Sequence, residues 1–153
     1  MPVRRPGTYS ADDFAQKVLD YSKKTVQLIA KNVAGQIFTE LSEQVLLTTP
    51  VLTGHARHNW QPNIDTPITQ EIDGVAGVVE TGDELTADEN VEIETIVDQF
   101  NRGSGTSLHL TNNVPYISFL DAGSSKKAPA GIVQPSIDAI LSSFKDRHLK
   151  LTK

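Results

Sequence analysis

The fold is decided by residues 10–50, which read SADDFAQKVLDYSKKTVQLIAKNVAGQIFTELSEQVLLTTP. Ser10 followed by Asp13 is a variant of the helix capping box, and the acidic residues after Ser10 suit the positive end of a helix dipole. Apolar residues then recur, mostly three or four positions apart, at Phe14, Val18, Tyr21, Leu28, Ile29, Val33, Ile37, Leu41 and Val45. This spacing predicts one long helix whose apolar stripe faces a core.

The sequence also predicts where this helix ends and where it is weakest. Pro50 disfavours helical geometry at Thr49, so we expect the helix to end near Leu47. A helix over residues 11–47 would be roughly 55 Å long. Gly35 is the expected position of a bend or break in it.

Short strands are predicted after this helix, because the sequence is divided by proline and glycine into runs at 59–61, 68–72 and 75–79. Asp73 and Gly74 stand between the second and third runs and are typical of a type I′ hairpin turn, which needs positive φ angles. The pattern indicates a small antiparallel sheet.

Two further helices are predicted. Thr86 and Glu89 form a second capping box, and the helix that follows should bury Ile93, Ile96, Val97 and Phe100. Residues 108–111 alternate in polarity as a strand does. Pro135 is tolerated only in the first turn of a helix, so the last helix should begin near Gln134.

These elements predict an α+β fold, with a small antiparallel sheet packed against a long N-terminal helix, a middle helix and a C-terminal helix. Residues 1–9 are expected to form a flexible arm, and residues 10–153 a single domain. A chain of 153 residues can bury a sizeable core in one domain.

Composition excludes several function classes. The chain has no cysteine, which excludes disulfides and thiol catalysis. No apolar run approaches the ~18 residues of a membrane span, so no membrane contact is expected. The net charge of −5 opposes stable binding to DNA phosphates. Passage of DNA past an acidic wall stays compatible with this charge.

Two dense segments resemble one family. Residues 49–60 read TPVLTGHARHNW, and residues 110–133 read LTNNVPYISFLDAGSSKKAPAGIV. Together they resemble the tail-completion (tail-terminator or neck) proteins of long-tailed bacteriophages. Those proteins read T-P-V-D-T-G-x-x-R-x-x-W, then N-N-x-P-Y, then L-E-x-G-x-S-x-x-A-P-x-G-M-V, in this order. The resemblance covers roughly residues 50–133.

The resemblance implies a structural protein of the virion, made in the host cytoplasm and placed at the head–tail junction. It implies a homo-oligomeric ring, with six subunits the expected number, that ends the tail tube. The implied partners are the tail tube protein and the head–tail connector or stopper protein, with viral DNA only in transit through the lumen. It implies no catalysis, no cofactor and no metal.

This sequence departs from the family pattern at four positions. Leu52 stands where an acidic residue is usual, Asp121 replaces glutamate, Lys127 replaces glutamine and Ile132 replaces methionine. The change at Leu52 removes a candidate partner for Arg57, so an ion pair in this loop cannot simply be carried over.

Candidate interface residues lie in both segments. The loop over residues 123–131 is small, polar and basic, which is typical of a contact surface. Arg57 could hold a carboxylate bidentately, either within the subunit or across to a neighbour. The predicted interface residues are His55, Arg57, Asp121, Ser124, Ser125, Lys126 and Lys127.

The remaining conspicuous residues favour structural roles. We expect Trp60 to anchor the core rather than to form a binding hot spot, and Tyr116 to pack its ring in the core. Gly54 and Gly123 should adopt backbone angles that other residues resist. His55 and His58 are three residues apart, but no known metal spacing supports a site there.

Catalytic signatures are weak. The sequence has no G-x-S-x-G elbow, and residues 103–106 lack the lysine of a P-loop. Two alternatives to a virion protein remain at this point: a non-virion tail-assembly factor, and a small hydrolase or nucleotide-binding enzyme.

Overall fold

A computed structural model describes residues 10–73 and 84–151, with side chains to residue 147. In these ranges the elements are α1 (Ala11–Thr48), α2 (His55–His58), β1 (Gln61–Ile64), α3 (Ala87–Arg102), β2 (Leu108–Thr111), α4 (Ile117–Asp121) and α5 (Val133–Leu151). The fold is α+β, as predicted. The expected arm over residues 1–9 lies outside the described residues.

The two ends of α1 agree with the sequence. Asp13 donates its backbone N–H to Ser10 Oγ at 3.0 Å, and Ser10 donates its own N–H to Asp13 Oδ2 at 3.4 Å, which completes the capping box. At the other end Thr49 is extended, one residue before Pro50. The helix therefore begins and ends where local chemistry places it.

The helix does not break at Gly35, the expected position of a bend or break: α1 runs through this residue without interruption. Gly35 is instead buried against α3, where a Cβ atom would lie 2.9 Å from Val97 Cγ1. The missing side chain permits close approach of two helices, which is a packing role rather than a hinge role.

The predicted core-facing stripe is correct for only part of α1. The buried residues of this helix are Gly35, Phe38, Ser42, Val45 and Leu46. Before Gly35 the large apolar side chains are exposed; Phe14 is 64% and Tyr21 is 74% exposed. The prediction of a core contact is therefore wrong for the N-terminal half of the helix.

The sheet has two antiparallel strands in the described residues, with Gln61 opposite Thr111 and Ile64 opposite Leu108. The strand predicted at 68–72 is absent, because side-chain amides replace a strand ladder there. Asn59 Oδ1 accepts from the Ile72 N–H at 2.7 Å, and Gln61 Nε2 donates to the Gln70 carbonyl at 2.8 Å. The run at 75–79 and the turn at Gly74 lie outside the described residues.

The core lies where the second half of α1 meets α3 and the loops around the sheet. Its central cluster consists of Val45, Leu46, Trp60, Ile93, Ala128 and Ile132. The Trp60 indole Nε1 donates to Thr49 Oγ1 at 2.8 Å, and that hydroxyl donates to the Val45 carbonyl at 2.6 Å. The prediction that Trp60 anchors the core is confirmed.

Candidate functional site

The two motif segments meet in one groove. Residues 50–56 form one wall, and Tyr116, Leu120 and residues 125–127 form the other. The groove has a volume of about 510 Å³. More than fifty residues separate the two walls in sequence, so the fold itself assembles this surface.

The wall over residues 50–56 is a turn that leads into α2. Gly54 has a φ of 82°, a left-handed conformation that glycine adopts readily, and it precedes the single turn of α2. The expected special backbone at Gly54 is thus confirmed. Leu52, which occupies the acidic position of the family pattern, is 94% exposed at the groove.

Tyr116 contributes to the opposite wall. Its side chain is 42% exposed, so the expectation that its ring packs in the core is wrong. Partial burial raises the pKa of the Tyr116 hydroxyl, and the negative charge of Glu71 raises this pKa further. The phenol therefore stays protonated and presents an apolar ring with a polar tip to the groove.

Arg57 lies beneath the groove and is completely buried. Its Nε and Nη2 atoms donate to the two carboxylate oxygens of Glu89, each at 2.9 Å, and Nη2 also donates to the Glu84 carbonyl at 2.5 Å. Of the two alternatives for Arg57, the structure contains the salt bridge within the subunit. With its side chain 0% exposed, Arg57 presents no surface to a neighbour.

Glu89 connects this ion pair to the start of α3. One of its carboxylate oxygens also accepts from the Thr86 N–H at 2.8 Å, and the Glu89 N–H bonds to Thr86 Oγ1 at 3.2 Å. The predicted capping box is confirmed. Because Arg57 holds the same carboxylate, the first motif segment is fixed directly to the N-terminus of α3.

Asp121 holds the base of the second wall. Its Oδ1 accepts from the backbone N–H groups of Ile132 at 2.9 Å and Val133 at 2.8 Å, so it caps the N-terminus of α5. The backbone at Asp121 and the backbone at Gly131 lie in close contact, because a Cβ on Gly131 would be 2.2 Å from the Asp121 carbonyl oxygen. A short carboxylate therefore suits position 121. Asp121 closes the loop within the subunit.

The loop between Asp121 and α5 is an ordered turn. Gly123 has a φ of 85°, which confirms its expected role. Ser125 Oγ accepts from the Lys127 N–H at 3.2 Å, and the Ser125 carbonyl accepts from the Ala128 N–H at 3.2 Å. Ala128 is 3% exposed and belongs to the core. One residue of this small, polar loop therefore packs in the core.

Lys126 and Lys127 are exposed at the rim of the groove, and Ser124 is exposed beside it. His55, on the opposite wall, forms a hydrogen bond with Glu71, with Nε2 2.6 Å from Oε1. The predicted interface residues therefore divide into two sets. Arg57 and Asp121 hold the groove in shape, while His55, Ser125, Lys126 and Lys127 line it.

Asn112, which the sequence predicts only as part of a turn, connects the two segments. Its Nδ2 donates to the Ala56 carbonyl at 2.7 Å, and its Oδ1 accepts from the Val114 N–H at 3.1 Å. One side chain thus joins the two motif segments. The signal was its position in the N-N-x-P-Y pattern, since an asparagine amide can donate and accept at once.

Among the described residues, no group of three or more histidine, aspartate and glutamate side chains is placed to hold a metal ion. Within residues 10–73 and 84–151, no helix combines the length and apolar composition needed to cross a bilayer.

Comparison of the chain with protein-family models, with curated proteins and with solved structures gives no match.

Proposed function

We propose that this protein is a structural component of the virion of a long-tailed bacteriophage, placed at the head–tail junction. Copies form a closed ring, with six subunits expected, that ends the tail tube and joins it to the head–tail connector. The chain performs no catalysis, and viral DNA only passes through the lumen. The observation that carries this proposal is the groove built jointly by the two segments that resemble tail-completion proteins.

The motif residues support this proposal through what they do. Arg57, Asn112 and Asp121 use buried or backbone-directed hydrogen bonds to fix the walls of the groove. Arg57 is completely buried, and the printed contacts of Asn112 and Asp121 are to backbone groups of this subunit. A rigid surface of this kind suits assembly, because little conformational entropy is lost when a partner binds.

The exposed residues indicate what the groove accepts. Leu52 and Tyr116 offer apolar surface, and Lys126 and Lys127 add two cations at the rim. A partner with apolar anchors and nearby carboxylates would match this pattern, since complementary charge steers partners and penalises wrong ones. The groove therefore fits a protein partner.

Charge reversal at the rim tests the proposal. In particles assembled with Lys126→Glu and Lys127→Glu, we expect unjoined heads and tails to accumulate, because like charges at an interface cost several kcal/mol. The subunit itself should keep its Tm, since surface substitutions usually change stability by about 0.5 kcal/mol or less.

Arg102→Glu with Lys145→Glu is the matched control. Both residues are exposed and lie outside the groove, so the control changes net charge equally without altering the rim. Control particles should join normally. Normal joining with the groove variant, or absence of the wild-type protein from purified virions, would contradict the proposal. The second result would favour a non-virion assembly factor.

A further inference from the structure

The N-terminal half of α1 carries a large apolar surface that the described part of the chain does not cover. Eight large apolar side chains of this half are exposed, and Ile37 makes a ninth at the start of the second half; the eight are Phe14, Val18, Leu19, Tyr21, Val26, Leu28, Ile29 and Val33. Their exposed area sums to on the order of 1,000 Å², compared with about 800 Å² per partner in a standard interface. The surface is therefore large enough to support a specific contact.

This surface does not face the core of its own subunit. With 3.6 residues per turn, the nine exposed residues are centred roughly 150° around the helix axis from the buried residues of the second half. The buried side of α1 contacts α3 at Gly35 and carries Phe38 and Val45. The apolar side of the helix thus changes within α1, and the first half is directed at something other than the subunit core.

The first exposed residues have the spacing of a helix that binds in a groove. Phe14, Val18 and Tyr21 occupy positions i, i+4 and i+7 and are 64%, 46% and 74% exposed. This is the anchor pattern of amphipathic helices that lie in hydrophobic grooves. Thr25 on the same side donates its hydroxyl to the Tyr21 carbonyl at 2.8 Å, so this polar group needs no further partner when buried.

The groove at residues 50–56 is a complementary surface. Its exposed apolar residues match the anchors, and its rim carries Lys126 and Lys127. Residues 10–22 carry three aspartates and one lysine, a net charge of the opposite sign. Both apolar character and charge therefore favour docking of the first part of α1 at this groove.

A subunit cannot fill its own groove. α1 is a continuous helix to Thr48, and the groove begins at Pro50, immediately after its other end. At ~1.5 Å per residue, Phe14 lies roughly 50 Å along the helix from Pro50. The helix of one copy and the groove of another copy must therefore meet, which makes the contact heterologous.

We propose that the N-terminal half of α1 of each subunit docks in the groove of the next subunit, with Phe14, Val18 and Tyr21 as anchors. A heterologous contact propagates from copy to copy and closes into a ring when its rotation allows. This contact rests on the ring proposed above and adds structural detail to that proposal. It specifies which two surfaces join and in which direction.

Engineered cysteines test this contact directly, because the natural chain has none. The purified double variant Val18→Cys with Leu52→Cys is oxidised at high protein concentration and separated without reductant. We expect a ladder of covalent dimers, trimers and larger species, since each copy carries both halves of the contact. Val18→Cys with Leu141→Cys is the matched control, because Leu141 is also exposed but lies outside the groove.

The outcomes distinguish the possible occupants. Efficient dimers from Val18→Cys alone would show that α1 pairs with α1 and would overturn the proposal. Equal ladders from the test and control pairs would overturn it as well, as would no cross-linking at any concentration. An intramolecular product in the Val18→Cys, Leu52→Cys variant would show that the helix folds back within one subunit.

Charge-reversal variants provide an independent test of this contact. Asp12→Lys with Asp20→Lys, or Lys126→Glu with Lys127→Glu, should each reduce the ladder at least about tenfold. Combining all four substitutions should restore it, and failure of this rescue would contradict the charge complementarity. These measurements use isolated protein, so a ladder from a protein that is absent from virions would refute the head–tail role and leave the contact standing.

Discussion

Residues 11–34 and residues 35–48 belong to one uninterrupted helix, but the buried residues of this helix all lie in the second half. The first half contacts the end of α3 through Lys31, whose Nζ donates to the Phe100 carbonyl at 3.2 Å and to the Gly103 carbonyl at 2.7 Å. The second half contacts α3 at Gly35 and α5 through the ion pair of Glu40 with Arg147, and it buries Phe38, Val45 and Leu46. In the first half, Phe14 and Tyr21 are among the most exposed large apolar residues described. The comparison teaches that helical periodicity predicts an apolar face but does not identify what covers it.

The packed half depends on a polar network as well as on apolar contacts, and breaking this network should have the largest effect. Arg57→Ala leaves the Glu89 carboxylate nearly buried without its partner, so we expect a loss of about 3–5 kcal/mol in the free energy of unfolding. Denaturant unfolding measures this loss. Arg102→Ala is the control: its ion pair with Asp98 is exposed, and we expect a loss below about 1 kcal/mol.

Tyr21→Ala tests how much the first half of α1 contributes to stability. Its side chain contributes little to the subunit core, so stability should change by no more than about 0.5 kcal/mol. Equal destabilisation by Arg57→Ala and Tyr21→Ala would show that the two halves are not energetically distinct.

Gly123→Ala should have an intermediate effect. The residue has a φ of 85°, and a Cβ atom would lie 2.4 Å from the Pro129 carbonyl oxygen. We expect a loss of about 1–3 kcal/mol, the usual range for backbone held in an unfavourable region. Ala122→Gly, one residue earlier and with ordinary backbone angles, is the control for loop composition. A Gly123→Ala variant as stable as the wild type would mean that the loop readily adopts another conformation.

Asp65→Asn should have a small effect on stability, and this effect should depend on pH. The backbone N–H groups of Thr106 and Ser107 bond to Asp65 Oδ1 and lower the pKa of this carboxyl below its ordinary value of 3.8. A lowered folded-state pKa means that the carboxylate stabilises the fold above pH 3.8, and that this stabilisation is lost as pH falls through the lowered pKa. The asparagine variant should therefore be slightly less stable at neutral pH.

The stability difference between Asp65→Asn and the wild type should shrink as pH falls below 3.8. Asparagine also tolerates the positive φ of 60° at this position, so the substitution isolates the charge. A difference that grows in acid would contradict the assigned direction of the pKa shift.

The sequence predicts the features that rest on local chemistry. Both capping boxes, the end of α1 before Pro50 and the backbone conformations of Gly54 and Gly123 follow from contacts within a few residues. It also predicts the core role of Trp60, because a large aromatic residue has few stable alternatives to burial.

The errors concern contacts between distant segments. The local sequence predicts a bend or break at Gly35, because the contact of this residue with Val97 cannot be seen in it. It predicts a strand at residues 68–72, because the amides of Asn59 and Gln61 that bond to this run lie outside it. Arg57 left two alternatives open for the same reason: its partner, Glu89, is 32 residues away.

Amide hydrogen exchange at low and high protein concentration tests the central claim most directly, because it reports both halves of α1 in one experiment. We predict that residues 36–48 are protected at both concentrations, whereas residues 14–33 become protected only at high concentration, together with the groove residues 50–56. Equal protection of residues 14–33 at both concentrations, or their protection without any change at residues 50–56, would contradict the account.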